Sequence, residues 1–227
     1  AQKTKKILQK QGALTEADSK KVLAAYGIPV TKEEPAASAA AAVAAARRIG
    51  YPVALKVLSP DIPHKTEAGG IRLNLCSDAA VRRAFAEIMK SARAYAPRAA
   101  LDGVLVQEML EPGVEAIVGI TRDPVFGPAV MFGLGGILVE VLQDVSFRVA
   151  PLSRADAAEM IREVKGARLL SGVRGRAAAD LKALSDVILK VSQLALDYAD
   201  VIEELDINPL VVYPKGVRVA DALIVKR

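Results

Sequence analysis

Apolar and polar positions follow a helical period through the first fifty residues and a two-residue period soon after. Thr15, with Asp18 three positions on, forms an acidic capping box. It opens a helix whose apolar positions run through Val22 and Leu23 and which Gly27 and Pro29 stop. A second helix is predicted over 38–49, an Ala-rich stretch ending in Arg47-Arg48 and closed by Gly50 and Pro52. The period then shortens, and 52–58 reads as a buried strand. A polar, Gly-containing loop fills 59–70. A strand over 71–75 leads into a helix over 78–95, and another strand follows over 103–109.

The second half is richer in strands, predicted over 115–121, 129–134 and 147–150. Ser153 with Asp156 caps a further helix, and a long helix is predicted over 178–198. The chain closes as a meander of 203–207, 210–213 and 217–219, with Pro214-Lys215-Gly216 as the turn. The pattern is that of a mixed α/β (α+β) chain. It predicts one functional unit over 1–227 with two lobes, 26–103 and 104–227, and an N-terminal helix over 1–25 that packs on either.

Composition narrows the classes. Hydrophobic residues make up 52% of the 227, enough for a packed core, and aromatic residues only 4%. No run approaches the ~20 apolar residues of a membrane span, and no secretory signal pattern opens the chain. The net charge of +5 is dispersed, without interleaved aromatic residues or zinc-ligand spacing. Small anions such as nucleotide phosphates or coenzyme A fit this better than nucleic acid. The single cysteine, Cys76, follows the apolar run 71–75 and reads as a small buried side chain. A lone thiol fits a reducing cytoplasm.

Three places carry candidate chemistry. Lys56 interrupts an apolar strand, where an ammonium needs an anion or an outlet to water. Read alone, it fits an edge-strand lysine snorkelling to solvent slightly better than a lysine aimed at phosphate. The loop after it holds the only histidine, His64, followed by Lys65-Thr66-Glu67-Ala68-Gly69-Gly70. Glycines such as Gly69 and Gly70 let backbone N–H groups approach a phosphate, and imidazole can carry a phosphoryl group. Near the C-terminus, Asp206 and Asn208 share one strand face, and Asp221 belongs to a neighbouring strand. Such oxygen donors suit Mg²⁺, although the bland reading is a solvated acidic turn. No Walker-type phosphate loop occurs, and Gly133-Leu134-Gly135-Gly136 lacks the third glycine of a dinucleotide fingerprint.

The ordered set of segments resembles a known family. They are Val53-Ala54-Leu55-Lys56, His64 through Asn74, Val106-Gln107-Glu108-Met109, Gly113-Val114-Glu115, Arg122 through Pro128, Gly133 through Gly136, and Leu205-Asp206-Ile207-Asn208-Pro209-Leu210. From about Leu14 onward the chain is similar to the ATP-grasp domain of NDP-forming acyl-CoA synthetases, including the β subunit of ADP-forming acetyl-CoA synthetase. It is more distantly similar to the succinyl-CoA synthetase β subunit. The resemblance implies an ATP-grasp fold with a nucleotide cleft between two lobes. It implies that Lys56 contacts ATP phosphates, that Gln107, Glu108 and Met109 form the hinge holding adenine, and that Glu115 binds the ribose. Asn208 and Asp221 would hold Mg²⁺. Asp206 stands where succinyl-CoA synthetase has a Glu that orients the partner's phosphohistidine, and His64 matches a second histidine able to relay phosphate.

The implied reaction is acyl-CoA + ADP + Pi ⇌ acid + CoA + ATP, with the phosphoryl group passing through a histidine on a CoA-binding partner. No CoA-binding domain is legible in this chain, so that chemistry is expected on a separate subunit or another part of a longer polypeptide. Lys56, Arg122, Arg148 and Mg²⁺ are the expected sources of positive charge. The competing readings are a regulatory ATP-binding module without turnover, as in fusions to a protein acetyltransferase, and a nucleic-acid-binding protein.

Overall fold

The computed structural model describes residues 2–9, 14–62, 64–135, 143–172 and 177–227. The chain divides into two units, one of Thr31–Glu111 and one of Ala1–Val30 with Pro112–Arg227.

The first unit is a four-stranded antiparallel sheet of order β1-β4-β2-β3, built from β1 (Glu33–Ala36), β2 (Val53–Leu58), β3 (Ile71–Leu75) and β4 (Gly103–Glu108). Helices α3 (Ala39–Ile49) and α4 (Asp78–Tyr95) start at Ser38 and Ser77, whose hydroxyls accept from the N–H groups of Ala41 and Ala80. Their small apolar residues Ala42, Ala46, Ala84 and Ala92 pack with Val53, Leu55, Val57, Val104 and Val106 of the sheet. The lobe boundary expected at 103 is thus corrected to 111. The strand Gly103–Glu108 lies between β1 and β2, because its alternating valines belong to this core. Strand β1 was not anticipated, since Glu-Glu-Pro-Ala shows no apolar alternation. It is an edge strand, where a proline is tolerated.

The second unit has a sheet of order β10-β8-β5-β6-β7, with β9 paired to β8. Its strands are β5 (Val114–Asp123), β6 (Gly127–Leu134), β7 (Val145–Val149), β8 (Ile202–Val212), β9 (Val217–Val219) and β10 (Ala222–Lys226). One face is covered by α1 (Gln2–Leu8), α2 (Glu16–Ala25), α5 (Arg154–Glu163) and α6 (Leu181–Asp197), which bury Val118, Phe132, Leu205, Ile207 and Ile224. Thr15 accepts from Asp18 N–H at 3.2 Å as predicted, and the Ser153–Asp156 box closes reciprocally. The N-terminal helix α2 belongs to this unit, where Ser19 Oγ accepts from Ile224 N–H of β10 at 3.1 Å. A short 3-10 helix, Lys165–Ser171, follows α5. No helix among the described residues is long and apolar enough to cross a membrane.

The C-terminal meander differs from expectation. The segments 203–207 and 210–213 form one strand, β8, because a bulge lets the chain pass through Pro209. Ala116 pairs with Leu210 and Val118 with Ile207, so Ile117 is opposed by both Asn208 and Pro209. The proline sits where the ladder is already interrupted.

Asp180 fastens α6 to the β8–β9 turn. Its carboxylate accepts from Ala183 N–H at 3.0 Å and from Gly216 N–H at 2.8 Å. These N–H groups hold its pKa below the ordinary aspartate value. A depressed folded pKa stabilises above the unfolded value, and the effect is lost as pH falls through the folded one. Asp180→Ala is therefore expected to lower the urea midpoint at pH 7, and the gap to the unaltered chain should narrow from about pH 4 downward. A gap independent of pH would contradict this assignment.

Candidate functional site

In the first unit, β2 is an interior strand, and Lys56 is 6% exposed. The edge-strand reading of this lysine is therefore wrong. Lys56 is opposed by Leu105 on β4 and Ile71 on β3, and Ala54 by Gln107. Opposed residues share a face. Val53, Leu55 and Val57 point into the helix-covered core, so Lys56 and Gln107 lie together on the other face. Gln107 is also buried, at 5%. Glu33 of β1 opposes Gln107 and joins this face, a residue missed because its strand was not foreseen.

The strand after Gln107 is pinned to the chain entering the unit. Glu108 N–H donates to Lys32 O at 3.0 Å, and Glu108 Oε1 accepts from Lys32 N–H at 2.7 Å. Met109 N–H donates to Pro52 O at 3.4 Å, and both Glu108 and Met109 are half-buried. The three residues thus sit at the end of one strand, with backbone held on two sides.

His64 is exposed, at the start of a turn that returns to β2. Its carbonyl accepts from Ala68 N–H at 3.3 Å. The glycines behave differently from expectation. Gly69 N–H donates to Thr66 O at 3.0 Å and Gly70 N–H to Lys65 O at 2.8 Å, so both amides are used by the loop itself rather than offered to phosphate. Gly69 has φ 58°, and a Cβ on Gly70 would meet Val57 Cγ1 at 2.6 Å. Left-handed backbone and close approach require these glycines. They fold the loop that carries His64 back onto the strand that carries Lys56.

In the second unit, the sheet face away from the helices carries the acids. Along β8, Leu205 and Ile207 are buried while Glu204, Asp206 and Asn208 are exposed. Asn208 N–H donates to Asp221 O at 3.1 Å, and Pro209 O accepts from Ala220 N–H at 2.9 Å. The structure thus brings Asp206, Asn208 and Asp221 together. Although Asp206 keeps contact with solvent, surrounding protein together with the charges of Asp221 and Glu204 pushes its carboxyl above the ordinary aspartate value. Glu204 was not singled out from sequence, yet the two-residue spacing back from Asp206 would have found it. Glu115 lies on β5, exposed, opposite Val211. Its carbonyl accepts from Gly135 N–H at 2.8 Å.

The donor set here is one amide and two carboxylates crowded by their own charge, and hard oxygen donors of this kind fit Mg²⁺. No group of three or more His, Cys, Asp or Glu side chains able to hold a metal occurs among the described residues. Two expected cations are otherwise engaged. Arg148 pairs with Glu163 and Glu159, and Arg122 donates to Ala199 O. Cys76 is exposed rather than buried, because the strand ends before it. Of the Gly133–Gly136 motif, Gly136 lies outside the described residues.

The model of the ATP-grasp domain matches residues 5–225. The chain belongs to the ATP-grasp domain family. Among curated relatives, subunit beta of the ADP-forming acetate–CoA ligase I of Pyrococcus furiosus is 48% identical over 227 residues, covering 98% of this chain and 97% of that one. The ADP-forming acetate–CoA ligase I of Archaeoglobus fulgidus is 47% identical over 216 residues, covering 95% of this chain but 31% of that one. The same ATP-grasp module is therefore a whole subunit in one relative and about a third of a longer chain in another. Among solved structures, acetyl-coenzyme A synthetase 1 of Ca. Korarchaeum cryptofilum in complex with coenzyme A and Ca-AMPCP superposes with TM-score 0.93. It shares 46% identity, over 95% of this chain and 94% of that one. Its form with coenzyme A and Mg-AMPPCP, described with a phosphohistidine segment pointing towards the nucleotide binding site, gives TM-score 0.83 at 44% identity over 95% and 93%.

Proposed function

We propose that this ATP-grasp domain is the nucleotide-handling part of an ADP-forming acid–CoA ligase, moving a phosphoryl group between Mg-ATP or Mg-ADP and a histidine. The observation that carries the reading is the 48% identity, over nearly the full length of both chains, to an ADP-forming acetate–CoA ligase β subunit. The buried Lys56 on one unit and the acids of β8 on the other supply the chemistry such a subunit needs.

Lys56 neutralises phosphate oxygens, Gln107, Glu108 and Met109 hold the adenine, and Glu115 binds the ribose. Asn208 and Asp221 would hold Mg²⁺, which when bound supplies charge neutralisation for the phosphates. Phosphoryl transfer rests on positioning and electrostatics rather than on covalent help from many groups. His64 relays the phosphoryl group, and Asp206 orients the imidazole that gives or receives it. Gly69 and Gly70 shape the His64 loop. The CoA-binding and acyl-phosphate chemistry resides on a partner subunit or another domain, and the reaction runs in the cytoplasm, in keeping with the single thiol.

Calorimetric titration tests the metal assignment. ATP with Mg²⁺ is expected to bind at least a hundredfold more tightly than ATP with EDTA, and the Asn208→Ala/Asp221→Ala double variant should lose that difference. Equal affinity with and without the metal in the unaltered chain would remove Asn208 and Asp221 from the site.

A further inference from the structure

The loop that carries His64 leaves β2 and returns as β3 with both shoulders anchored. Ile62 and Ala68 are buried in the core of the first unit, and the Asp61 carboxylate accepts from Ala100 N–H at 2.7 Å. Between the shoulders His64 stands exposed. The exit shoulder has a further clamp. Arg72 of β3 donates from Nη1 to Gly69 O at 3.0 Å and to Ile71 O at 2.8 Å, and from Nε to Glu87 Oε2 of α4 at 3.0 Å. Arg72 opposes Leu55, so it lies on the helix side of the sheet, where the neighbouring strands carry core residues. β3 is an edge strand, and an inward-pointing charge there can serve simply to discourage pairing with another chain. That role needs no bond to the loop. Here the rigid guanidinium fork holds the two carbonyls that flank Gly70, whose own carbonyl accepts from Val57 N–H at 2.7 Å.

We propose that Arg72, braced by Glu87, is a positioning residue for His64, a proposal that rests on the phosphoryl-transfer reading above. The coupling runs through the turn. Ala68 N–H reaches His64 O, Gly69 N–H reaches Thr66 O and Gly70 N–H reaches Lys65 O, so residues 64–70 are bonded into one body. Two adjacent glycines would otherwise let that body swing on its exit, because glycine restricts the backbone least. Arg72 takes hold at that hinge, on the carbonyl of Gly69, and so fixes where the imidazole stands. In the step it serves, a ring nitrogen of His64 bonds to the γ-phosphorus as the bond from that phosphorus to the β–γ bridging oxygen breaks. ADP leaves with the electron pair, and the other ring nitrogen gives up its proton to solvent. Misplacing a reacting group by as little as ~1 Å can cost about a hundredfold in rate. The donors of Arg72 go to the loop and to Glu87, so it governs the rate at His64 and not the affinity for Mg-ATP.

The test follows the full chain with Mg²⁺ and γ-labelled ATP. His64 is the only histidine, so phosphohistidine on this chain reports it alone. Arg72→Met keeps the stem and removes the donors. It is expected to slow labelling at saturating Mg-ATP by about tenfold or more, with Mg-ATP affinity by calorimetry within about twofold. Arg72→Lys, which can still pair with Glu87 and reach one carbonyl, should recover part of the rate. Glu87→Gln should slow labelling less, and adding it to Arg72→Met should cost nothing further, because the two groups act as a unit. Arg47→Gln, which removes the Arg47–Asp78 pair from the same unit, should leave the rate unchanged. Amide exchange at Ala68, Gly69 and Gly70 should quicken by about tenfold in Arg72→Met, while the amides of β4 keep their protection. Labelling of Arg72→Met at the unaltered rate, unchanged exchange at 68–70, or a rate lost together with Mg-ATP affinity would each overturn the assignment. No label on the unaltered chain would strike the phosphoryl-transfer reading instead, and exchange at 68–70 would still decide whether Arg72 holds the turn.

Discussion

Asp221→Ala is expected to slow phosphoryl transfer between Mg-ATP and histidine by about a thousandfold, equivalent to ~4 kcal/mol of transition-state stabilisation. Asn208 N–H reaches Asp221 O, so the two side chains leave adjoining strands at one level. Mg²⁺ is commonly held by one or two carboxylates together with phosphate oxygens. Asn208 is neutral, and removing Asp221 takes away the full negative charge of the pair. The fold should persist, because Asp221 is half-exposed between β9 and β10 and its backbone carbonyl keeps the bond from Asn208. Losing Asp221 also relieves the repulsion felt by Asp206. An unchanged melting temperature with a lost rate, measured with γ-labelled ATP, is the expected pair of results. A rate within tenfold of the unaltered chain would remove Asp221 from the metal site.

Lys56→Met should weaken Mg-ATP binding and lower the transfer rate by a combined hundredfold or more. Single preorganised donors to a developing charge are worth roughly 10²- to 10³-fold. Methionine keeps the length and apolar stem of lysine in a buried strand position, so the packing of that stem is retained while the charge is removed. Loss of Mg-ATP affinity at a temperature where the variant is still fully folded separates this role from a structural one. Lys56→Arg should not restore activity, because a planar guanidinium does not replace a compact ammonium on an interior strand. If Lys56→Met bound Mg-ATP as the parent does, the lysine would be a packing residue.

Much of the fold was legible because its periodicities are clean. The helices opened by Ser38, Ser77 and Ser153 start where side-chain caps and apolar spacing agree. What escaped was decided by tertiary pairing. The strand Glu33–Ala36 exists because β4 offers it an edge, and the bulge at Asn208-Pro209 joins two expected strands into one. Lys56 shows the same limit in the site. Its sequence neighbours allow either an edge or an interior strand, and only the pairing of β2 with both β3 and β4 decides between them. Asp206 and Asn208 were legible together because a strand period of two needs no tertiary information. Gly69 and Gly70 illustrate the converse. A glycine pair beside lysine fits a phosphate loop locally, while the hydrogen bonds that occupy its amides come from the turn as a whole.

Incubation with Mg²⁺ and γ-labelled ATP, with and without a CoA-binding partner, tests most directly whether this chain passes phosphate between nucleotide and histidine. The expected result is an acid-labile, alkali-stable label on His64, which moves to a histidine of the partner when that protein is added. Tight binding of Mg-ATP with no label on either protein would contradict it.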